Sequence, residues 1–213
     1  MMKLISIAVG RPTEINWQGK TVRTSIFKTA VTGPTRVMRL NLDGDQQSDL
    51  TVHGGVDKAV YAYPSEHYPF WREKFPSLEF NWGMLGENFT TEGLDEQSTN
   101  IGDRFSIGSA EFVVTQPRMP CFKLGIRLGD PRAIKTLLQS RRSGFYFAVA
   151  KEGVVTAGDP IRLIERDTHQ ISVTNIVDLY VGELTEPELL NRAIELPSLP
   201  QSWRDFFRQR IGG

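Results

Sequence analysis

Short β-branched runs separated by turn residues fill this chain as far as about residue 166, and they restrict its fold more than any other feature. Residues 3–9 alternate like a strand and end at Gly10-Arg11-Pro12. Comparable runs recur at 20–27, 35–42, 58–63, 85–91, 103–107, 110–116, 145–150 and 160–166. Gly33-Pro34, Asp43-Gly44-Asp45, Gly54-Gly55, Gly102-Asp103, Gly108-Ser109 and Gly158-Asp159 punctuate them. Many short strands at such spacing predict a mainly β fold, a closed or partly closed barrel. Two helices interrupt it. One runs from Pro64-Ser65 to about Phe75; the other starts at Asp130-Pro131 and buries Ile134, Leu137 and Leu138.

After about residue 167 the period changes. Val173, Ile176, Val177 and Tyr180 have helical spacing. Thr185-Glu186-Pro187-Glu188 reads as a capping box ahead of Leu189, Leu190, Ala193 and Ile194. Trp203, Phe206, Phe207 and Ile211 make a third apolar stripe. The expected organisation is a barrel over 1–166 and a separate three-helix subdomain over 167–213.

Lys+Arg and Asp+Glu both number 25 in 213 residues, so the net charge is zero. That balance argues against a general nucleic-acid or anionic-membrane binder. No apolar run approaches the length that spans a bilayer, and the first residues do not form a signal peptide. With one cysteine, the expected location is the cytoplasm.

That cysteine, Cys121, lies in Gln116-Pro117-Arg118-Met119-Pro120-Cys121-Phe122-Lys123. The two prolines impose an extended path, and Arg118 and Lys123 favour thiolate over thiol. The commonest fate of a single cysteine is burial as a small hydrophobe. The basic, proline-stiffened setting points instead to a working thiolate.

Val52-His53-Gly54-Gly55-Val56-Asp57-Lys58 is the second dense segment. Paired glycines let a backbone approach a ligand, and His53, Asp57 and Lys58 place polar heads around one turn. On turn chemistry alone it is equally a glycine hairpin with a solvated Asp-Lys pair. The P-loop spacing is absent. Of three histidines, His67 and His169 read as surface helix and linker, which leaves His53 as the general acid or ligand candidate. Glu87-Asn88 at the start of a run, and Arg23, Thr24 and Lys28 along an alternating strand, are further candidates. Each has a plain reading as turn or solvated strand unless they converge.

In this order the segments resemble the MOSC family, domains similar to the C-terminal part of molybdenum cofactor sulfurase. The length and three-helix tail resemble its bacterial YiiM branch. Phe89 stands where an aliphatic residue is common in that family, a change of volume only. The resemblance implies a barrel that binds molybdenum cofactor (molybdopterin), with Cys121 as ligand to molybdenum, and reduction of N-hydroxylated compounds such as hydroxylaminopurine. It implies His53 as proton donor and Arg118 as stabiliser of developing charge. Arg23, Thr24, Lys28, His53, Gly54, Gly55, Asp57, Lys58, Glu87, Asn88, Arg118 and Lys123 would surround the cofactor. The partners implied are a small N-hydroxylated substrate and a separate electron-donor protein, because no flavin or iron–sulfur pattern is present; a homodimer is compatible. The competing readings are a non-catalytic carrier of the cofactor or of a persulfide on Cys121, and a cofactor-free Cys121–His53 thiol enzyme. Zinc is disfavoured for want of ligands.

Overall fold

The computed structural model describes residues 1–48, 54–182 and 186–211. The strands and helices, in chain order, are β1 (Lys3–Val9), β2 (Thr13–Trp17), β3 (Lys20–Thr24), β4 (Thr29–Val31), β5 (Thr35–Met38), β6 (Asn41–Leu42), β7 (Val60–Pro64), α1 (Tyr68–Lys74) and β8 (Phe89–Glu92). They continue with β9 (Arg104–Ile107), β10 (Ala110–Pro117), α2 (Phe122–Leu128), α3 (Arg132–Ser140), β11 (Phe145–Lys151), β12 (Gly153–Val155) and β13 (Ile161–Glu165). Three helices end the chain: α4 (Val173–Val181), α5 (Pro187–Glu195) and α6 (Gln201–Ile211).

The main sheet has the order β13-β9-β10-β11-β7-β8-β1-β4. Its pairs are antiparallel except β7 with β8. It curls until its two sides meet. Lys3 bridges to Pro160, the Leu4 N–H donates to the Asp159 carbonyl (2.9 Å), and the Ile161 N–H donates to Met2 (2.9 Å). Pairing across that seam satisfies backbone groups that an open edge would expose, so the barrel is partly closed. A three-stranded sheet β12-β5-β6 and the β2-β3 hairpin flank it.

Alternation explains the core. Ala110, Phe112 and Val114 of β10 are buried while Glu111 and Val113 between them are half-buried. Inside, Phe112 lies against Phe89 and Phe147 at centroid distances of 5.6 and 5.3 Å, and Phe105 and Phe145 also touch Phe147. β7 is buried on both faces: Val60 and Ala62 enter the barrel core, while Tyr61 and Tyr63 enter a second cluster with Trp71, Tyr68, Leu124 and Leu137. The helices α1, α2 and α3 contribute to that cluster, which explains why β7 reads as a continuous apolar run.

Several elements depart from expectation. The strand expected over 20–27 ends at Thr24, and β2, β4 and β12 had no anticipated counterpart. Cys121 is extended (φ −129°, ψ 168°), as its prolines demand, yet α2 begins at the next residue. The capping box assigned to Thr185 lies outside the described residues. Instead a capping box opens α4, where the Ser172 hydroxyl accepts from the Asn175 N–H (3.1 Å) and the Asn175 side chain accepts from the Ser172 N–H. No helix among the described residues is long and apolar enough to cross a membrane.

The three terminal helices do not have a core apart from the barrel. Ile171, Ile176, Leu179, Leu199 and Phe207 belong to the same apolar cluster as Phe112 and Phe147. Phe207→Ala should therefore cost about 3–5 kcal/mol, as for other buried Phe truncations. The whole chain should still unfold in one transition when followed by near- and far-ultraviolet circular dichroism. Separate transitions for sheet and helices would contradict a shared core.

Candidate functional site

A cleft with a cavity volume of about 90 Å³ opens beside the loop between β10 and α2, and polar groups converge on it as they do on small-molecule sites. Six stretches of chain build its wall. The end of β3 and the residues after it bring Thr24, Ile26 and Lys28, the turn after β6 brings Asp45 to Ser48, the β7 region brings Lys58 and Tyr61, and the entry to β8 brings Asn88. The passage from β10 into α2 adds Arg118, Cys121 and Lys123, and β11 adds Tyr146. Gly86 also faces the cleft (φ 86°); a side chain there would strike Ile26 at 2.9 Å, so only glycine allows this approach.

Asp45 ties the wall together. Its carboxylate accepts from the Gly10 N–H (2.8 Å), Lys28 Nζ (2.5 Å) and Asn88 Nδ2 (3.0 Å). Asn88 is fully used: its Oδ1 accepts from the Tyr61 N–H (3.1 Å) and its Nδ2 also donates to the Ala8 carbonyl (3.2 Å). Burial lowers the Lys28 pKa, with Asp45 opposing that shift, and burial likewise lowers that of Lys58. Lys123 donates to the Ser48 hydroxyl (3.2 Å).

Arg118 is the most telling group. It is 5% exposed, its guanidinium lies 5.3 Å from the Tyr61 ring centroid, and its Nη1 has no hydrogen-bond partner among the described residues. Burial opposes its charge, but Tyr61, Cys121 and Tyr146 reverse the balance and raise its pKa. A buried cation with an unmet donor costs free energy unless something anionic completes it. Burial raises the Tyr146 phenol, with Arg118 offsetting part of the shift, so its hydroxyl stays protonated near neutral pH.

The structure thus brings Thr24, Lys28, Lys58, Asn88, Arg118, Cys121 and Lys123 to one cleft. It does not bring the others. Glu87 turns the opposite way and is fully buried. Its carboxylate accepts from the Gly83 N–H (2.9 Å), the Leu85 N–H (3.0 Å), the Thr90 hydroxyl (3.1 Å) and the Tyr68 hydroxyl. It is a structural acceptor in the turn ahead of β8, whereas the next residue, Asn88, takes the cleft side. Arg23 is exposed on the β2-β3 hairpin opposite Glu14. Gly54, Gly55 and Asp57 do not line the cleft. Gly55 (φ 98°) makes the turn into a short 3-10 helix at Val56–Lys58, and the Asp57 carbonyl accepts from the Thr115 hydroxyl (2.7 Å) and Gln116 Nε2 (3.2 Å). His53 lies outside the described residues, so its distance from Cys121 is not part of this geometry. Asp45, Tyr61 and Tyr146 were missed: Asp45 reads in sequence as a turn residue, and the two tyrosines read as strand apolars.

Among the described lining residues, four cations, Lys28, Lys58, Arg118 and Lys123, face one carboxylate, Asp45, around a single thiol, Cys121. Such a lining suits a ligand with a phosphate and a soft metal. The donor set fits molybdenum cofactor, and no group of three or more His, Cys, Asp or Glu among the described residues could hold a bare metal ion.

Known proteins give the same picture of the chain. A family model described as the MOSC domain matches residues 49–162, and one described as a YiiM-like, 3-alpha helix domain matches residues 171–212. Protein YiiM of Escherichia coli is 31% identical over 193 residues, covering 89% of this chain and 86% of that one. A Gibberella moniliformis protein named "Reductase" is 31% identical over 196 residues, which are 91% of this chain and 35% of that protein. The crystal structure of YiiM from Geobacillus stearothermophilus superposes with a TM-score of 0.83 at 35% identity, covering 99% of this chain and 100% of that one.

Two outcomes follow from this geometry. Glu87→Ala should cost at least about 3 kcal/mol in urea denaturation, since it strands two buried N–H groups and two hydroxyls. A cost below about 1 kcal/mol would show that they find other partners. Inorganic phosphate should bind the cleft at neutral pH. A lysine holds an anion only while protonated, and Lys28 and Lys58 lose their protons below the ordinary 10.5. Phosphate affinity, followed by calorimetry, should therefore fall as pH rises toward 10.5, ahead of the titration of exposed lysines.

Proposed function

The chain belongs to the MOSC domain family, and on that premise we propose that it binds molybdenum cofactor in the basic cleft and reduces N-hydroxylated compounds there. The observation that carries this reading is the Arg118 donor left unmet among the described residues, buried near the chain's one thiol in a wall of cations. Cys121 would be the protein ligand to molybdenum, and Arg118, Lys123, Lys28 and Lys58 would hold the cofactor's anionic groups. When bound, the cofactor supplies a two-electron redox centre. The name of the Gibberella relative supports an oxidoreductase.

The overall change takes R–NH–OH, two electrons and two protons to R–NH₂ and water. The chain's own part is to bind, to orient and to move protons. Lys58, with its pKa lowered by burial, lines the same cleft as Cys121 and can give a proton to the departing hydroxyl. His53 completes the proposed proton supply. The electrons come from a separate donor protein, and the cytoplasm, where thiols stay reduced, suits Cys121.

Cys121→Ser tests the reading, because it exchanges a soft, ionisable ligand for an alcohol that stays protonated near pH 7. Protein made in cells that synthesise the cofactor should contain molybdenum and a fluorescent pterin. Wild type should reduce hydroxylaminopurine with a supplied electron donor, and Cys121→Ser should not, with stability changed by only about 1–2 kcal/mol. His53→Ala should keep molybdenum and lose rate. Full activity in Cys121→Ser would defeat the thiolate ligand, and bound molybdenum without turnover in wild type would favour a carrier.

A further inference from the structure

Cys121 stands on a ridge between two clefts. The second has a cavity volume of about 350 Å³ and shares Lys58, Met119, Cys121 and Tyr146 with the first. Its character is different. The charged side chain among its described lining residues is Lys58, at the junction, whereas its far wall is Tyr180 of α4 with Trp203 and Phe206 of α6.

That wall is built rather than incidental. Tyr180 is 37% exposed, yet its ring lies 5.1 Å from Phe206 at an interplanar angle of 32°, and 5.4 Å from Trp203. Trp203 Nε1 donates to Gln116 Oε1 (2.9 Å), and Gln116 Nε2 donates to the Asp57 carbonyl beside Lys58. Arg210 donates to the Leu179 and Tyr180 carbonyls and lies 5.9 Å from the Phe206 ring. The rings are therefore held in place before any ligand arrives, and a fixed, half-exposed aromatic face favours another flat ring.

Resting on the reductase reading above, we propose that this second cleft is the substrate subsite: it takes an uncharged planar aromatic or heteroaromatic ring against Tyr180 and Phe206, with the N–OH group directed to the ridge at Cys121. The terminal helices then choose the substrate while the barrel holds the cofactor.

Adenine, a flat ring that cannot be reduced further at its amino group, is the probe. Calorimetric titration of the 213-residue chain should show binding, weakened about tenfold in Tyr180→Leu and in Phe206→Leu, the order expected for loss of one stacked ring. Leucine keeps apolar contact, melting temperatures check that each variant is folded, and Tyr180→Phe should restore wild-type affinity. In steady-state kinetics, kcat/KM for hydroxylaminopurine relative to that for hydroxylamine should fall by a similar factor, mainly through KM. No adenine binding to wild type, or unchanged affinity in both folded leucine variants, would overturn the subsite. If molybdenum-loaded wild type reduces neither compound, the reductase reading fails, and the adenine titration still decides the ring site.

Discussion

One buried carboxylate, Asp45, sets the shape of the cleft. Its side chain is 1% exposed, and it draws a backbone amide at Gly10, an ammonium at Lys28 and an amide at Asn88 to a single point. These groups come from three separate stretches of chain, so the carboxylate acts as a knot as well as a counter-ion. Burying it is tolerable because its hydrogen-bonding capacity is used and one partner carries the opposite charge. The same contact moderates the cleft, since part of the Lys28 charge is spent inside the protein. Among the described lining residues the carboxylate is Asp45, and it bonds Lys28 rather than Arg118.

Glu87 and Asn88 show how adjacent residues divide such work. The turn that leads into β8 sends Asn88 toward the cleft and Glu87 into the aromatic cluster of Tyr68 and Phe80. There the glutamate organises the turn from Gly83 to Leu85, and so fixes the approach of Gly86 to Ile26. A residue that touches no ligand therefore sets the depth of the cleft indirectly.

Period and turn chemistry made much of this architecture legible. Strands at 3–9, 104–107, 110–117 and 145–151 and the three terminal helices fall where alternation and helical stripes place them. The helix α2 escaped because the prolines before it and Gly125 within it argue locally against a helix, and burial of Leu124 and Leu128 overrides them. In the cleft, Arg118, Cys121 and Lys123 were visible as a short basic motif. Asp45, Tyr61 and Tyr146 were not, because nothing local distinguishes a turn aspartate or a strand tyrosine that converges on a site from one that does not. Arg23 and Glu87 were the reverse case, residues of suitable chemistry that point away from the cleft, one on β3 and one in the turn before β8.

The seam that closes the barrel carries a cost in time. β1 is made first, yet Leu4 pairs with Thr91 and meets Gly158 and Asp159 only after most of the sheet exists. Of its two strand partners, the short β4 is near in sequence and β8 is distant. Pairings so distant in sequence close large loops before contacts repay them, and such topologies fold slowly. An unpaired strand edge held open meanwhile is a template for association with other chains. The polar and prolyl residues that follow β1 at once, Arg11, Pro12 and Thr13, limit how far that exposed edge extends while the chain waits for its partner.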